Sequence, residues 1–192
     1  MPLLQVITAS TRPGRKGPAI AAWAADAARS HGAFDVEVID LAEVDLPNYD
    51  EPNHPSTGIY EHEHTKQWSA TIDRADAFAF VIPEYDFFAP PALVNAIIFL
   101  SKEWRYKPAG LVSYGGASAG LRAAQALKLL ITSVKVVPLP EAVSIPFFNQ
   151  FINDDGVVVP NEIMVKSAAT MYDELARWEA ALRGLRRGDQ EG

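Results

Sequence analysis

The residues best equipped for chemistry lie in the stretch TASTRPGRKGPAIAAW, residues 8–23. Ser10 and Thr11 bring hydroxyl donors, and Arg12 brings a planar fork whose geometry matches a phosphate. Gly14 and Gly17 let the backbone approach a ligand closely. From Pro18 onward the composition turns alanine-rich and helical, and a helix start offers unpaired N–H groups at the positive end of its dipole. Together these residues read as a phosphate cup, with a solvated basic loop as the plain alternative. The stretch has neither the G-x-x-x-x-G-K-[ST] of a P-loop nor the G-x-G-x-x-G of a dinucleotide fold.

Two further stretches carry unusual mixtures. Pro83-Glu84-Tyr85-Asp86-Phe87-Phe88-Ala89-Pro90-Pro91 crowds three aromatics into a loop stiffened by proline. Such a loop either walls a flat apolar ring or plugs the core. Ser113-Tyr114-Gly115-Gly116-Ala117-Ser118-Ala119-Gly120-Leu121-Arg122 is small and glycine-rich, which leaves backbone N–H groups free beside a ligand edge.

What must position these stretches is an alternation of strand-like and helix-like segments. Leu3–Ala9, Phe34–Leu41, Ala77–Ile82, Ala109–Tyr114 and Val134–Val137 read as strands. Pro18–His31, His64–Ala75, Pro91–Trp104, Ala117–Thr132 and roughly 161–185 read as helices. Ala42–Tyr60 reads as a long polar loop and residues 139–159 as irregular. This alternation implies one domain over residues 1–192, with a parallel sheet covered on both faces. Five strands fit a doubly wound α/β fold of the flavodoxin type, strand order 2-1-3-4-5, whose ligands sit at the carboxyl ends of the strands. The three unusual stretches follow strands one, three and four, so all fall at that end. A phosphate cup beside two ring-contacting loops describes a flavin mononucleotide (FMN) site.

At 192 residues, 48% apolar and 21% charged, the chain has the proportions of one globular domain. Its longest apolar run, Ala92–Leu100, is too short to span a bilayer, and no charged-then-apolar leader opens the sequence. A cytoplasmic protein with no membrane association is therefore expected. The absence of cysteine excludes disulfides, thiolate metal sites and cysteine nucleophiles. A net charge of -7 argues against nucleic-acid binding, which needs a basic footprint.

TASTRPGRKGPAIAAW, PEYDFFAPPALVNAI and SYGGASAGLRAAQAL resemble, in order and context, the three signatures of the NADPH-dependent FMN reductase family. The resemblance runs over roughly residues 3–135 and takes in LPNYDEP and HTKQW. It implies FMN as cofactor and NADPH or NADH as electron donor. It places the FMN phosphate on Ser10, Arg12 and the helix start at Pro18, Ala19 and Ile20. It places the isoalloxazine ring against Pro83, Glu84, Tyr85 and Asp86 on one side, and Ser113, Gly115 and Gly116 on the other. The implied reaction passes hydride from the nicotinamide to the flavin, then electrons to a quinone, flavin, azo or metal-ion acceptor, by ping-pong kinetics. The cofactor carries that chemistry, so no catalytic side chain is expected. The alternative activity is a non-enzymatic FMN electron carrier serving a protein partner.

The chain departs from the family pattern in places. Asp86 replaces the usual asparagine and, when ionised, only accepts hydrogen bonds. It either faces the ring or caps a turn. Phe88 stands where a small or polar residue is common, Val94 replaces a lysine, and Ala119 replaces a glycine. Arg15 and Lys16 are candidates for the 2′-phosphate of NADPH. Glu61-His62-Glu63-His64, with His54 nearby, reads as a solvated helix start, because that spacing does not put both histidines on one helix face. Asp40 reads as a polar loop start. Ala92–Leu100 is apolar nearly all round and needs a second cover. A homodimer or dimer of dimers would supply it; the alternative is the 139–159 segment with Phe147, Phe148 and Phe151. The last helix carries Met164, Ala168, Met171, Leu175, Trp178 and Leu182 as a core or interface stripe, and Arg183–Arg187 as a solvated basic end.

Overall fold

The computed structural model describes residues 1–190, with side chains placed through Arg186. Five parallel strands form one sheet: β1 (Leu3–Thr8), β2 (Asp35–Asp40), β3 (Ala77–Pro83), β4 (Pro108–Tyr114) and β5 (Val137–Ile145). Their order is β2-β1-β3-β4-β5, the expected doubly wound arrangement. The connecting helices are α1 (Gly17–His31), α2 (Leu41–Val44), α3 (Glu63–Asp73), α4 (Pro91–Ile98), α5 (Leu121–Ser133) and α6 (Glu162–Gln190).

The alternation within β3 explains the two layers of cover. Phe78, Phe80 and Ile82 point to one face, and Ala77, Ala79 and Val81 to the other, all buried. The large side chains meet Trp68 of α3, Leu93 and Ile97 of α4, and Leu127 and Ile131 of α5. Trp68 satisfies its buried indole N–H on the Ala96 carbonyl at 2.8 Å. The small ones let α1 approach through Ala21, Ala24, Ala25 and Ala28, while α6 covers the rest with Met171, Tyr172 and Leu175.

Three expectations are corrected here. The fifth strand does not end at Val137; it runs to Ile145, through Pro138 and Pro140. An edge strand tolerates proline because only one side needs ladder donors. The α6 stripe continues through Glu179, not Trp178: Glu179 is 1% exposed and Trp178 39%. Steps of four and then three from Leu175 reach 179 and 182, so an acid occupies an apolar position. That acid explains the basic end. Arg183 pairs with Glu179 at 2.5 Å, and Arg186 bridges Glu179 and Asp76 while donating to the Tyr106 carbonyl at 3.1 Å. The terminus is thus partly an internal ion-pair network; the side chain of Arg187 lies outside the described residues.

The 42–60 segment is loop-like beyond α2, and it is well anchored. Asn95, the polar break in α4, accepts the Tyr49 N–H at 3.0 Å and donates to the Pro47 carbonyl at 2.7 Å. Buried Glu51 accepts the N–H groups of Glu61 and His62 at 2.8 and 3.0 Å. His64 pairs with the Asp50 carboxylate at 3.0 Å, and His62 meets the Asp50 carbonyl at 3.2 Å. Both histidines therefore tie the loop to α3.

Candidate functional site

β1 pairs with β2 on one side and β3 on the other, so the chain reverses direction across the sheet at β1. The loops after β1 and β3 flank that switch point. In the first loop Ser10 is buried, its hydroxyl 3.4 Å from the Tyr114 hydroxyl. Gly17 closes over this pair: a Cβ there would lie 2.2 Å from Ser10 Oγ and 3.0 Å from Tyr114 Oη. Any side chain at 17 would displace the cup, so the glycine is required by close approach. Arg15 holds the loop from below, donating to the Ser10 carbonyl at 2.6 Å and forking onto Asp40 at 2.6 and 2.8 Å. Asp40 also caps α2 by accepting the Ala42 N–H at 3.0 Å. Its role is structural, and it commits the Arg15 fork that was a candidate for a 2′-phosphate.

The top of the cup is less committed. Lys16 occupies the cap position of α1 without a capping side-chain bond, and Pro18 lies in the first turn. First-turn N–H groups are therefore left without a side-chain partner. The hydrogen bond of exposed Arg12 goes to the carbonyl of its neighbour Pro13, at 3.3 Å.

After β3 the chain makes a tight turn. Tyr85 and Phe88 exchange both backbone hydrogen bonds at 2.9 Å, and the central residues Asp86 and Phe87 have φ of 47° and 73°. Aspartate tolerates that conformation comparatively well. Asp86 thus occupies an exposed turn. Glu84 turns instead toward the start of α5, where the Arg122 guanidinium holds its carboxyl below the usual carboxylate range. The Tyr85 hydroxyl is buried and has no hydrogen-bond partner among the described residues. Burial pushes the neighbouring Tyr114 phenol up to about 12, so it stays a protonated donor at neutral pH.

These groups converge on a cavity of about 180 Å³. It is lined by Ser10, Arg12, Arg15 and Lys16 from the first loop, and by Pro83, Glu84 and Tyr85 from the second. Tyr114, Gly115, Gly116 and Phe148 complete it. Tyr85 also lines an adjoining apolar groove of about 580 Å³, with Asp86, Phe88, Val94 and Ile98. Of the residues singled out from sequence, Ser10, Arg12, Pro83, Glu84, Tyr85, Gly115 and Gly116 meet in the cavity. Asp86 lies at the groove. Ser113 is buried in β4, 3.4 Å from the Ser144 hydroxyl, because alternation points Tyr114 the other way. Pro18, Ala19 and Ile20 are not among the lining residues; Ile20 packs in the core under α1.

Sequence reasoning missed Lys16, Tyr114 and Phe148 as walls. Phe148 arrives because Phe147 and Phe148 donate their N–H groups to Gly116 and Gly115 at 3.1 and 3.3 Å. Its ring then packs edge-on against Tyr114, centroids 5.0 Å apart.

The residues fit FMN on their own geometry. A phosphate dianion needs cations and short donors, and Arg12, Lys16 and Ser10 bring groups of that kind to the cavity. The partnerless Tyr85 hydroxyl offers a further donor, and at Gly116 a Cβ would meet nothing within 4 Å, so that wall stays open for a ring edge. A doubly wound sheet with an anion cup at its switch point defines a nucleotide-binding protein of the flavodoxin-like class.

The family can be stated as well. The model of the NADPH-dependent FMN reductases matches residues 2–150, and the chain belongs to that family. It is 38% identical over 148 residues to an NAD(P)H-dependent FMN reductase of Schizosaccharomyces pombe, covering 76% of this chain and 74% of that protein. An NAD(P)H-dependent FMN reductase of Nectria sp is 32% identical over 153 residues, covering 77% and 76%. The fold is shared with FerB, a flavoenzyme NAD(P)H:(acceptor) oxidoreductase of Paracoccus denitrificans: TM-score 0.73, 22% identity, 94% of this chain and 98% of that one. It is also shared with a Streptococcus pneumonia TIGR4 flavodoxin: TM-score 0.55, 16% identity, 91% and 98%. Family membership makes this chain an oxidoreductase that uses FMN and NAD(P)H.

Proposed function

We propose that the chain takes electrons from NAD(P)H onto FMN and delivers them to a small-molecule acceptor, a quinone, flavin, azo compound or metal ion, the two substrates alternating at one site. The observation that carries this reading is the joining of the anion cup and both ring loops in one cavity at the strand ends. Arg12 and Lys16 neutralise the phosphate, Ser10 and the α1 start bond its oxygens, and Arg15 holds the cup against Asp40. The committed ion pair of Glu84 keeps a free carboxylate charge away from the ring wall. FMN supplies the two-electron chemistry, so the protein binds, orients and shields.

The adjoining groove supports a homodimer that would cover it. Phe88 and Ile98 are exposed there, and a second copy would cover them. Adding FMN to purified protein and recording the visible spectrum before and after anaerobic NADPH tests the activity. A bound spectrum that bleaches rapidly is expected. Bound FMN that stays oxidised would favour the carrier activity instead.

A further inference from the structure

Arg122 belongs to α5, yet both its backbone and its side chain reach the loop after β3. Its N–H donates to Glu84 Oε2 at 3.2 Å, and its guanidinium bonds Glu84 Oε1. The same guanidinium lies over the Phe87 ring, 3.9 Å from the centroid. The Glu84 side chain is only 7% exposed while that of Arg122 is 50% exposed, so the cation covers the carboxylate from outside. A carboxylate this enclosed is costly without partners, and Arg122 is its charged one, beside a Ser118 hydrogen bond.

Phe87 is a separate sign of the same arrangement. It occupies the second central position of the Tyr85–Phe88 turn with φ of 73°, where glycine is the favoured residue. A left-handed phenylalanine is strained, and at 62% exposed it gains little from burial. What its ring does gain is the cationic face of Arg122.

We infer that Arg122 is a positioning residue, whose clasp on Glu84 and Phe87 fixes the gap between the two loops that face each other across the FMN cavity. The inference rests on the FMN reading of that cavity. Both ends of the clasp are stiff. Glu84 follows Pro83, the last residue of β3, which pairs with Tyr114 of β4. Arg122 follows the turn at Gly120, where a Cβ would lie 2.8 Å from the Tyr114 carbonyl oxygen. The clasp therefore joins Tyr85 on one wall to Gly115 and Gly116 on the other. A planar ring gains dispersion contact on both faces only if that gap is held, since a small radial opening forfeits much of each contact.

A double-mutant cycle on the full chain tests this, with FMN affinity read by quenching of flavin fluorescence. E84A and R122A should each weaken FMN binding about tenfold, and the double variant should be no weaker than the worse single, because both remove one clasp. The absorption band of the residual bound flavin should shift toward that of free FMN in all three. R122K keeps a cation over Phe87 but loses the fork, so it should lie between R122A and wild type; it also serves if either alanine variant fails to fold. Additive losses, or affinities within about twofold of wild type, would overturn the clasp while leaving the cavity reading intact. Wild-type protein that binds no FMN would overturn the cavity reading and the inference together.

Discussion

At the amino ends of the strands, Lys107, Arg186 and Asp76 line a cavity of about 480 Å³, and their charges answer one another. Lys107 is buried and donates to the carbonyls of Ile72 and Asp73 at 2.8 and 2.9 Å, while Arg186 bridges Asp76 and Glu179. The carboxyl ends carry cations too, but use them differently. There Arg15 is committed to Asp40, whereas Arg12 is exposed, α1 starts without a capping side chain, and the Tyr85 hydroxyl is buried without a partner. The cavity at the amino ends is much the larger of the two charged ones, yet it is the lesser candidate. Size does not separate them. What does is whether the donors already have protein acceptors.

Removing a charge should therefore cost stability at one end and ligand at the other. The largest effect is expected for E179A, which leaves Arg183 without its acid and Arg186 with Asp76 as its remaining one. It should lose about 3 kcal/mol in urea unfolding while FMN affinity stays within about twofold. A parallel loss of affinity would show that the two ends are coupled. R12A should do the reverse, weakening FMN about tenfold by titration with riboflavin binding unchanged and unfolding within about 0.5 kcal/mol of wild type.

The smallest effect concerns pH. Burial pulls the Lys107 ammonium down to about 8, whereas in the unfolded chain it stays protonated to about 10.4. Between those values the unfolded state binds more protons, so this residue makes stability rise with pH. The urea midpoint of wild type should then gain on that of K107M between pH 8 and 10. Above about 10, buried Tyr172 and Tyr114, both pushed up by burial, ionise more readily in the unfolded chain, so the midpoints of both proteins should fall together.

The legible parts of the chain are those where one physical demand dominates. β1, β3 and β4 are central and buried on both faces, so their apolar runs stand out. β5 is an edge strand interrupted by Pro138, Pro140 and Glu141, and resembles a loop until its neighbour is known. Glu179 interrupts the α6 stripe because its partners, Arg183 and Arg186, lie one and two turns further along the same helix. At the site, Arg12, Tyr85 and Gly116 were visible because strand-end loops are where ligands bind in this class. Tyr114 was hidden by its place inside an apolar strand. Phe148 was hidden because only backbone bonds to Gly115 and Gly116 bring it there, across more than a whole helix and strand of chain. Arg122 was hidden because a basic residue in the first turn of a helix runs against the dipole, and only Glu84 gives it a reason.

The two prolines of β5 carry a consequence for how copies of this chain can meet. Pro138 and Pro140 lie in the first half of β5, where its register against β4 shifts between Ala109 and Leu111. Neither has a hydrogen to give. An incoming strand would find two donors missing from the first half of that margin and its register irregular there. The β5 margin is thereby blunted against fibril-like stacking.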